Sequence, residues 1–230
     1  MRLDVWAVLF LIVVGLGLPG LAVASSRMLD AGEAFPPRKA FYVETLVLLA
    51  IIGAASLGVA ATNGIPLFPP FRFNRRDMTA ATVALGLALG TLPLRWVTAS
   101  EWRKRRLFML VPHGRGEWLL WATVSLAAGV AEELAYRGVM ATLVEWLTSS
   151  WGVAVLVCSA SFAVVHVVQG WTSVATIALF AMGFHVLVRI TGTLYPAMGV
   201  HVLYDLVAGI AYGWLGAGLV EERAEAQPAG

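Results

Sequence analysis

Charge is scarce in this sequence. Asp, Glu, Lys and Arg make up 13% of it, against about 25% in soluble domains, while apolar residues reach 59%. No soluble core hides that much apolar surface, and a mean hydropathy of +0.79 points to lipid as the surrounding solvent. Cysteine is almost absent as well. Cys158 stands alone inside an apolar run, which excludes an intrachain disulfide and a Cys-rich metal site. A net charge of +2 with no basic stripe excludes nucleic acid as a partner. Internal repeats, low-complexity runs and interdomain linkers are also missing, so residues 1–230 read as a single membrane domain.

What is there is a series of apolar runs. Crossing ~30 Å of hydrocarbon takes about 20 helical residues, and runs of that order fall near 3–24, 41–61, 78–98, 151–169, 172–190 and 195–216. A seventh segment, 117–148, carries Glu132, Glu133 and Arg137 in its middle. At ~1.5 Å per residue it is too short for two crossings and too long for one upright crossing. It reads as one helix whose first part lies at the interface, with Trp118 and Trp121 at headgroup level. The fold class is therefore all-α, a polytopic membrane helix bundle of about seven transmembrane helices. The first run also has features of a signal peptide, with Ala22-Val23-Ala24 as a cleavage-like triplet, but the weakly basic start Met1-Arg2-Leu3-Asp4 favours a retained span.

Basic residues near the segment ends divide unequally. Arg27, Arg38, Lys39, Arg103, Lys104, Arg105, Arg106 and Arg115 fall on one side, against Arg2, Arg72, Arg75 and Arg76 on the other. The positive-inside rule then puts the basic loop 102–115 in the cytoplasm and the N-terminus outside, in an inner or plasma membrane.

An ionisable side chain at mid-bilayer costs roughly 2.5–3.5 kcal/mol on insertion scales, so each one calls for a function or a partner. Glu132, Glu133, His166, His201 and Asp205 stand out. If the chain turns at Ser149-Ser150, Glu132 lies 17 residues before the turn and His166 16 after it. Both then sit ~25 Å from the turn, at matching depth and close to the cytoplasmic face. A second turn near Thr191-Gly192-Thr193 returns His201 and Asp205 to a depth within one or two helical turns of them. His201 and Asp205, at i and i+4, share a helix face and form either a self-satisfied pair or part of a site. Glu133 and Arg137 have the spacing of a structural ion pair. His185 has no acidic neighbour at i±3 or i±4 and reads as structural, and His113 in the basic loop reads as solvated. Arg189 reads as a snorkelling helix-end residue. Gly183, Gly199 and Gly209 read as close-packing positions.

Three strings can now be taken together: Glu132-Glu133-Leu134-Ala135-Tyr136-Arg137, Phe162-Ala163-Val164-Val165-His166, and His201-Val202-Leu203-Tyr204-Asp205. They resemble the EExxxR, FxxxH and HxxxN or HxxxD motifs of the CPBP family, the CAAX prenyl proteases and bacteriocin-processing or Abi-type membrane proteins. The resemblance spans about 117–210, which would be the catalytic core. It implies an intramembrane endopeptidase in which Glu132 and His166 activate water, His201 and Asp205 steady the oxyanion, and Glu133 and Arg137 shape the first-motif helix. The family position of Asp205 is more often Asn, whose amide donates a hydrogen bond where an ionised carboxylate does not.

The expected reaction is hydrolysis of a peptide bond in a membrane-associated or lipidated protein. A metal-free site is the expected form. A divalent ion such as zinc would instead take Glu132, His166, His201 and Asp205 as an N/O ligand set, although no HExxH helix demands one. The competing readings are a small transporter, whose proton relays use the same residue types, and a non-catalytic assembly partner. Against a transporter, the polar residues crowd into one half of the chain and no inverted repeat is present.

Overall fold

The structure is a computed structural model that describes residues 3–70 and 74–226, with side chains to Gly218. Every regular element among the described residues is helical. In chain order these are α1 (Val5–Asp30), α2 (Arg38–Asn63), α3 (Arg75–Val97), α4 (Glu101–Leu110), α5 (Arg115–Thr148), α6 (Trp151–Val165), α7 (Trp171–Thr191) and α8 (Tyr195–Ala226). Six of them, all but α4 and α6, are long and apolar enough to cross a membrane. α6 has 15 residues, about 22 Å at the helical rise, and falls short of a full span. Large apolar side chains such as Leu16, Leu87, Leu119 and Trp214 point outward, the inside-out pattern that a lipid surround permits.

Local chemistry explains the boundaries. Asp4 and Asn74 cap α1 and α3 by accepting from backbone N–H groups, and Ser150 does the same for α6. Ser149 and Gly192 take left-handed backbone (φ 54° and 69°) at the two turns where the sequence places them. The stretch read as a basic loop, 102–115, is in fact largely the helix α4, started by Ser100, whose hydroxyl accepts from the Arg103 N–H at 3.3 Å. Arg106 within it is buried and ion-paired to Asp30 at 2.8 Å. Arg2 and Arg72, which entered the charge count, lie outside the described residues, as does the end of the tail from 227.

α5 is the central helix. It packs on α2 along its first half and on α8, and its segment Glu133–Met140 is a π-helix in which every residue is buried. π-segments inside α-helices are rare and concentrate at functional sites. Closure of α5 on α8 depends on Gly129. A Cβ there would lie 3.0 Å from the Val202 nitrogen and 3.1 Å from the Met198 carbonyl oxygen, both backbone atoms. Gly209 plays the reciprocal part on α8. Without a side chain at Gly209, the Trp121 ring reaches in and its Nε1–H donates to the Asp205 carbonyl at 3.2 Å. Trp121 is therefore turned into the bundle, against the expectation of a headgroup position. Gly183 and Gly199, expected to be close-packing positions, have nothing within 4 Å of a Cβ; the close approach is made at Gly129 instead.

Candidate active site

The three motifs arrive from three helices: Glu132 and Glu133 from α5, His166 from the end of α6, His201 and Asp205 from α8. One cavity of ≈ 220 Å³ is lined by Glu132, His166, His201 and Asp205 together, with Phe162 and Phe184 among its apolar walls. The depth matching read from the sequence thus brings all four expected residues to one space.

His166 ends α6. The helix stops there (φ −92°, ψ 11°), which leaves carbonyls without intrahelical donors. Its Nδ1 lies 2.9 Å from the Phe162 carbonyl oxygen. A carbonyl only accepts, so Nδ1 carries the hydrogen, and in the neutral ring Nε2 is a bare lone pair. His166 can therefore accept a hydrogen bond from a water in the cavity.

His201 is fixed in the same manner by a carboxylate. Its Nδ1 donates to Glu133 Oε1 at 2.9 Å, and the Arg137 guanidinium donates to that oxygen at 3.0 Å. Glu133 and Arg137 side chains are fully buried. The Arg137 guanidinium also sits over the Phe162 ring at 4.4 Å, a cation–π contact that helps to hold it without water. Glu133 is thus more than the structural counter-charge expected for Arg137, because it also sets the orientation of a site histidine. Spacing along α5 shows the first role and hides the second.

With Nδ1 so occupied, His201 turns Nε2 to the cavity, 3.6 Å from Glu132 Oε2 and 3.7 Å from Asp205 Oδ2. Only the imidazolium form carries a hydrogen on Nε2 in this arrangement. Glu132 Oε2 is buried and has no hydrogen-bond partner among the described residues. A buried carboxylate oxygen without a partner costs free energy, and the residue that carries it lines the same cavity as His166.

Could these residues hold a metal ion? Among the described residues, no three or more His, Cys, Asp or Glu side chains are arranged to do so. As arranged, the donor set does not fit a metal.

Four residues beside the site were not among the site residues read from the sequence. Arg95 and Gln169 line the same cavity, as does Tyr204, and Trp121 forms part of its wall. His185 is buried with Nε2 unpartnered among the described residues. An arginine near the end of an apolar run was the one available signal for Arg95. His113 is exposed, as expected, and its ring stacks on Phe108 with centroids 3.8 Å apart, where desolvation holds its pKa below the usual histidine value.

Residues 114–207 match the family model described as type II CAAX prenyl endopeptidase, Rce1-like. The match covers all three motifs, so the resemblance read from them holds. No match was found among the curated proteins or the solved structures.

Proposed function

We propose that the protein hydrolyses a peptide bond of a lipidated or membrane-associated protein, using Glu132 as general base without a metal. The observation that carries this reading is the convergence of Glu132, His166, His201 and Asp205, from three helices, on one cavity.

Water held there would give one hydrogen to Glu132 and the other to His166 Nε2. Its oxygen lone pair is then free to attack the carbonyl carbon, and Glu132 takes the proton as the C–O bond forms. The tetrahedral oxyanion receives Nε2–H of the His201 imidazolium, with a protonated Asp205 as a second donor; one such donor typically contributes ~10²–10³ in rate. Glu132 returns its proton to the leaving amine as the C–N bond breaks. His201 can serve in this way because Glu133 holds the far side of its ring.

Substrate access from lipid is supported by an apolar groove of ≈ 560 Å³ between α3 and α7. Its walls include Ala88, Phe180 and Phe184, which also line the site cavity. A prenyl or other lipid chain suits such a surface, and the peptide attached to it would then meet the polar end. The basic face around α4 is assigned to the cytoplasm, with the site near it, in an inner or plasma membrane. A cysteine placed at Lys104 in a Cys158→Ala background should stay unlabelled by an impermeant reagent added outside.

The deciding experiment compares membrane proteomes of cells that express the parent and the Glu132→Gln protein. An uncleaved precursor should accumulate with the variant, whose rate should be ~10²–10⁴ lower. Near-normal cleavage by a well-inserted Glu132→Gln protein removes the reading.

A further inference from the structure

Beyond His166 the chain makes a single 3-10 turn, Val167–Gln169, and passes Gly170 at φ 94°, a conformation open to glycine, before α7 begins. The backbone oxygens of so short a connection each need a donor. Most find one close by. The His166 oxygen accepts from the Gln169 N–H at 2.9 Å and the Val167 oxygen from the Gly170 N–H at 2.7 Å. The Gln169 oxygen accepts from the Ser173 hydroxyl at 2.9 Å, and the Gly170 oxygen from the Ser173 N–H at 2.9 Å. Val168 is the exception. Its oxygen accepts from Arg106 Nη1 at 3.2 Å, and Arg106 lies 62 residues away in sequence, on α4.

Arg106 is buried, and its second nitrogen, Nη2, donates to Asp30 at the end of α1 at 2.8 Å. The guanidinium also lies 4.4 Å from the centre of the Trp102 ring, one turn earlier on α4. The same ring closes over Gly170, where a Cβ would stand 3.2 Å from it. Arg103, between them on α4, donates to the Thr172 hydroxyl and, at 3.1 Å, to the Arg95 carbonyl. Trp102, Arg103 and Arg106 therefore all bear on the stretch that follows His166. A strut that only joined α4 to α1 would need Asp30 alone. The planar fork of arginine spans Asp30 and the Val168 oxygen at once, which the point charge of a lysine does not. None of these residues belongs to the three motifs.

We infer that Arg106 is a positioning residue for His166. It fixes the Val168 carbonyl, two residues beyond the histidine, and so sets how His166 stands in the cavity it shares with Glu132, His201 and Asp205. The inference rests on the peptidase reading for its effect on rate, and on hydrogen bonds alone for its effect on the ring. Misplacing a catalytic group by about 1 Å costs on the order of 10² in rate.

The test uses the full-length protein in detergent and includes a measurement that needs no turnover. The chain has four histidines, so histidine-selective labelling gives four ring environments that NMR assigns by single substitutions. In Arg106→Gln the His166 signal should shift or broaden more than those of His113, His185 and His201. Arg106→Lys should move it the same way by less, because its charge goes to Asp30 and leaves the Val168 oxygen. That variant carries the test if Arg106→Gln does not fold. In the rate assay, kcat per folded molecule should fall ~10- to 100-fold in Arg106→Gln at near-constant KM, with Arg106→Lys in between. A purely structural Arg106 would lower the melting temperature, move all four ring signals alike or none, and leave kcat per folded molecule unchanged; any of those readings of the rings or of kcat overturns the inference. If the parent itself cleaves nothing, the peptidase reading fails, and the His166 signal alone decides the part of Arg106.

Discussion

Glu133 Oε1 accepts two hydrogen bonds at once, from His201 Nδ1 at 2.9 Å and from Arg137 at 3.0 Å. That shared oxygen links the first motif to the third. It fixes which edge of the His201 ring meets the cavity, and with it which form of the ring can donate there.

Glu133→Gln should therefore do two things. Removing one charge of a buried pair leaves Arg137 uncompensated, a loss on the order of 3–5 kcal/mol, so the fraction of folded protein falls. In addition, kcat per folded molecule should drop at least tenfold at near-constant KM, since His201 loses the anion that holds it for a transition-state role. Kinetics normalised to folded protein, counted by size-exclusion in detergent, check this. An unchanged kcat per folded molecule would return Glu133 to a purely structural part.

The second prediction concerns how tightly α5 and α8 must close. A Cβ at Gly129 would crowd backbone atoms of Val202 and Met198 at 3.0 and 3.1 Å, and backbone cannot rotate away as a side chain can. Gly129→Ala should cost about 1–3 kcal/mol through overpacking and lower activity, because His201 stands next to the crowded Met198–Val202 turn. Gly183→Ala is the control, since a Cβ there meets nothing within 4 Å. Thermal unfolding in detergent should separate the two variants, and equal melting of both would mean that the helices do not close at Gly129.

Much of this site is legible in the sequence, and particular residues explain why. Glu132, His166, His201 and Asp205 announce themselves because each is costly in an apolar run, and counting residues from two turns places them within one or two helical turns of one depth. The helix α4 escapes that logic: it is short and strongly basic in its first half, and its cap, Ser100, is a local cue easily outweighed by the charge run behind it. The glycines mislead for a related reason. A glycine in an apolar helix signals the freedom to pack closely, but only the neighbour decides whether that freedom is used, as at Gly129, or faces open space, as at Gly183 and Gly199. Glu133 shows the same limit. Its i+4 partner Arg137 is visible along one helix, whereas His201 lies 68 residues away and becomes a partner only when α8 returns.

The last prediction turns on Asp205 and separates a metal-free site from a metal site. Its Oδ2 lies 3.7 Å from His201 Nε2, close enough to share the oxyanion region and too far for a hydrogen bond in the resting arrangement. If a protonated Asp205 donates to the oxyanion, Asp205→Asn keeps a donor of similar shape and should retain much of the activity, while Asp205→Ala should lose ~10²–10³ in rate. If Asp205 binds zinc instead, the Asn variant exchanges an anionic ligand for a weaker neutral one. Activity should then fall in both variants, and strong chelators should inactivate the parent enzyme. The expected outcome is an active Asn variant and an enzyme indifferent to chelator, because no three His, Cys, Asp or Glu side chains among the described residues are arranged to hold an ion. Stoichiometric zinc in the purified protein, lost together with activity on chelation and restored on re-addition, would overturn the metal-free mechanism while leaving the four site residues in place.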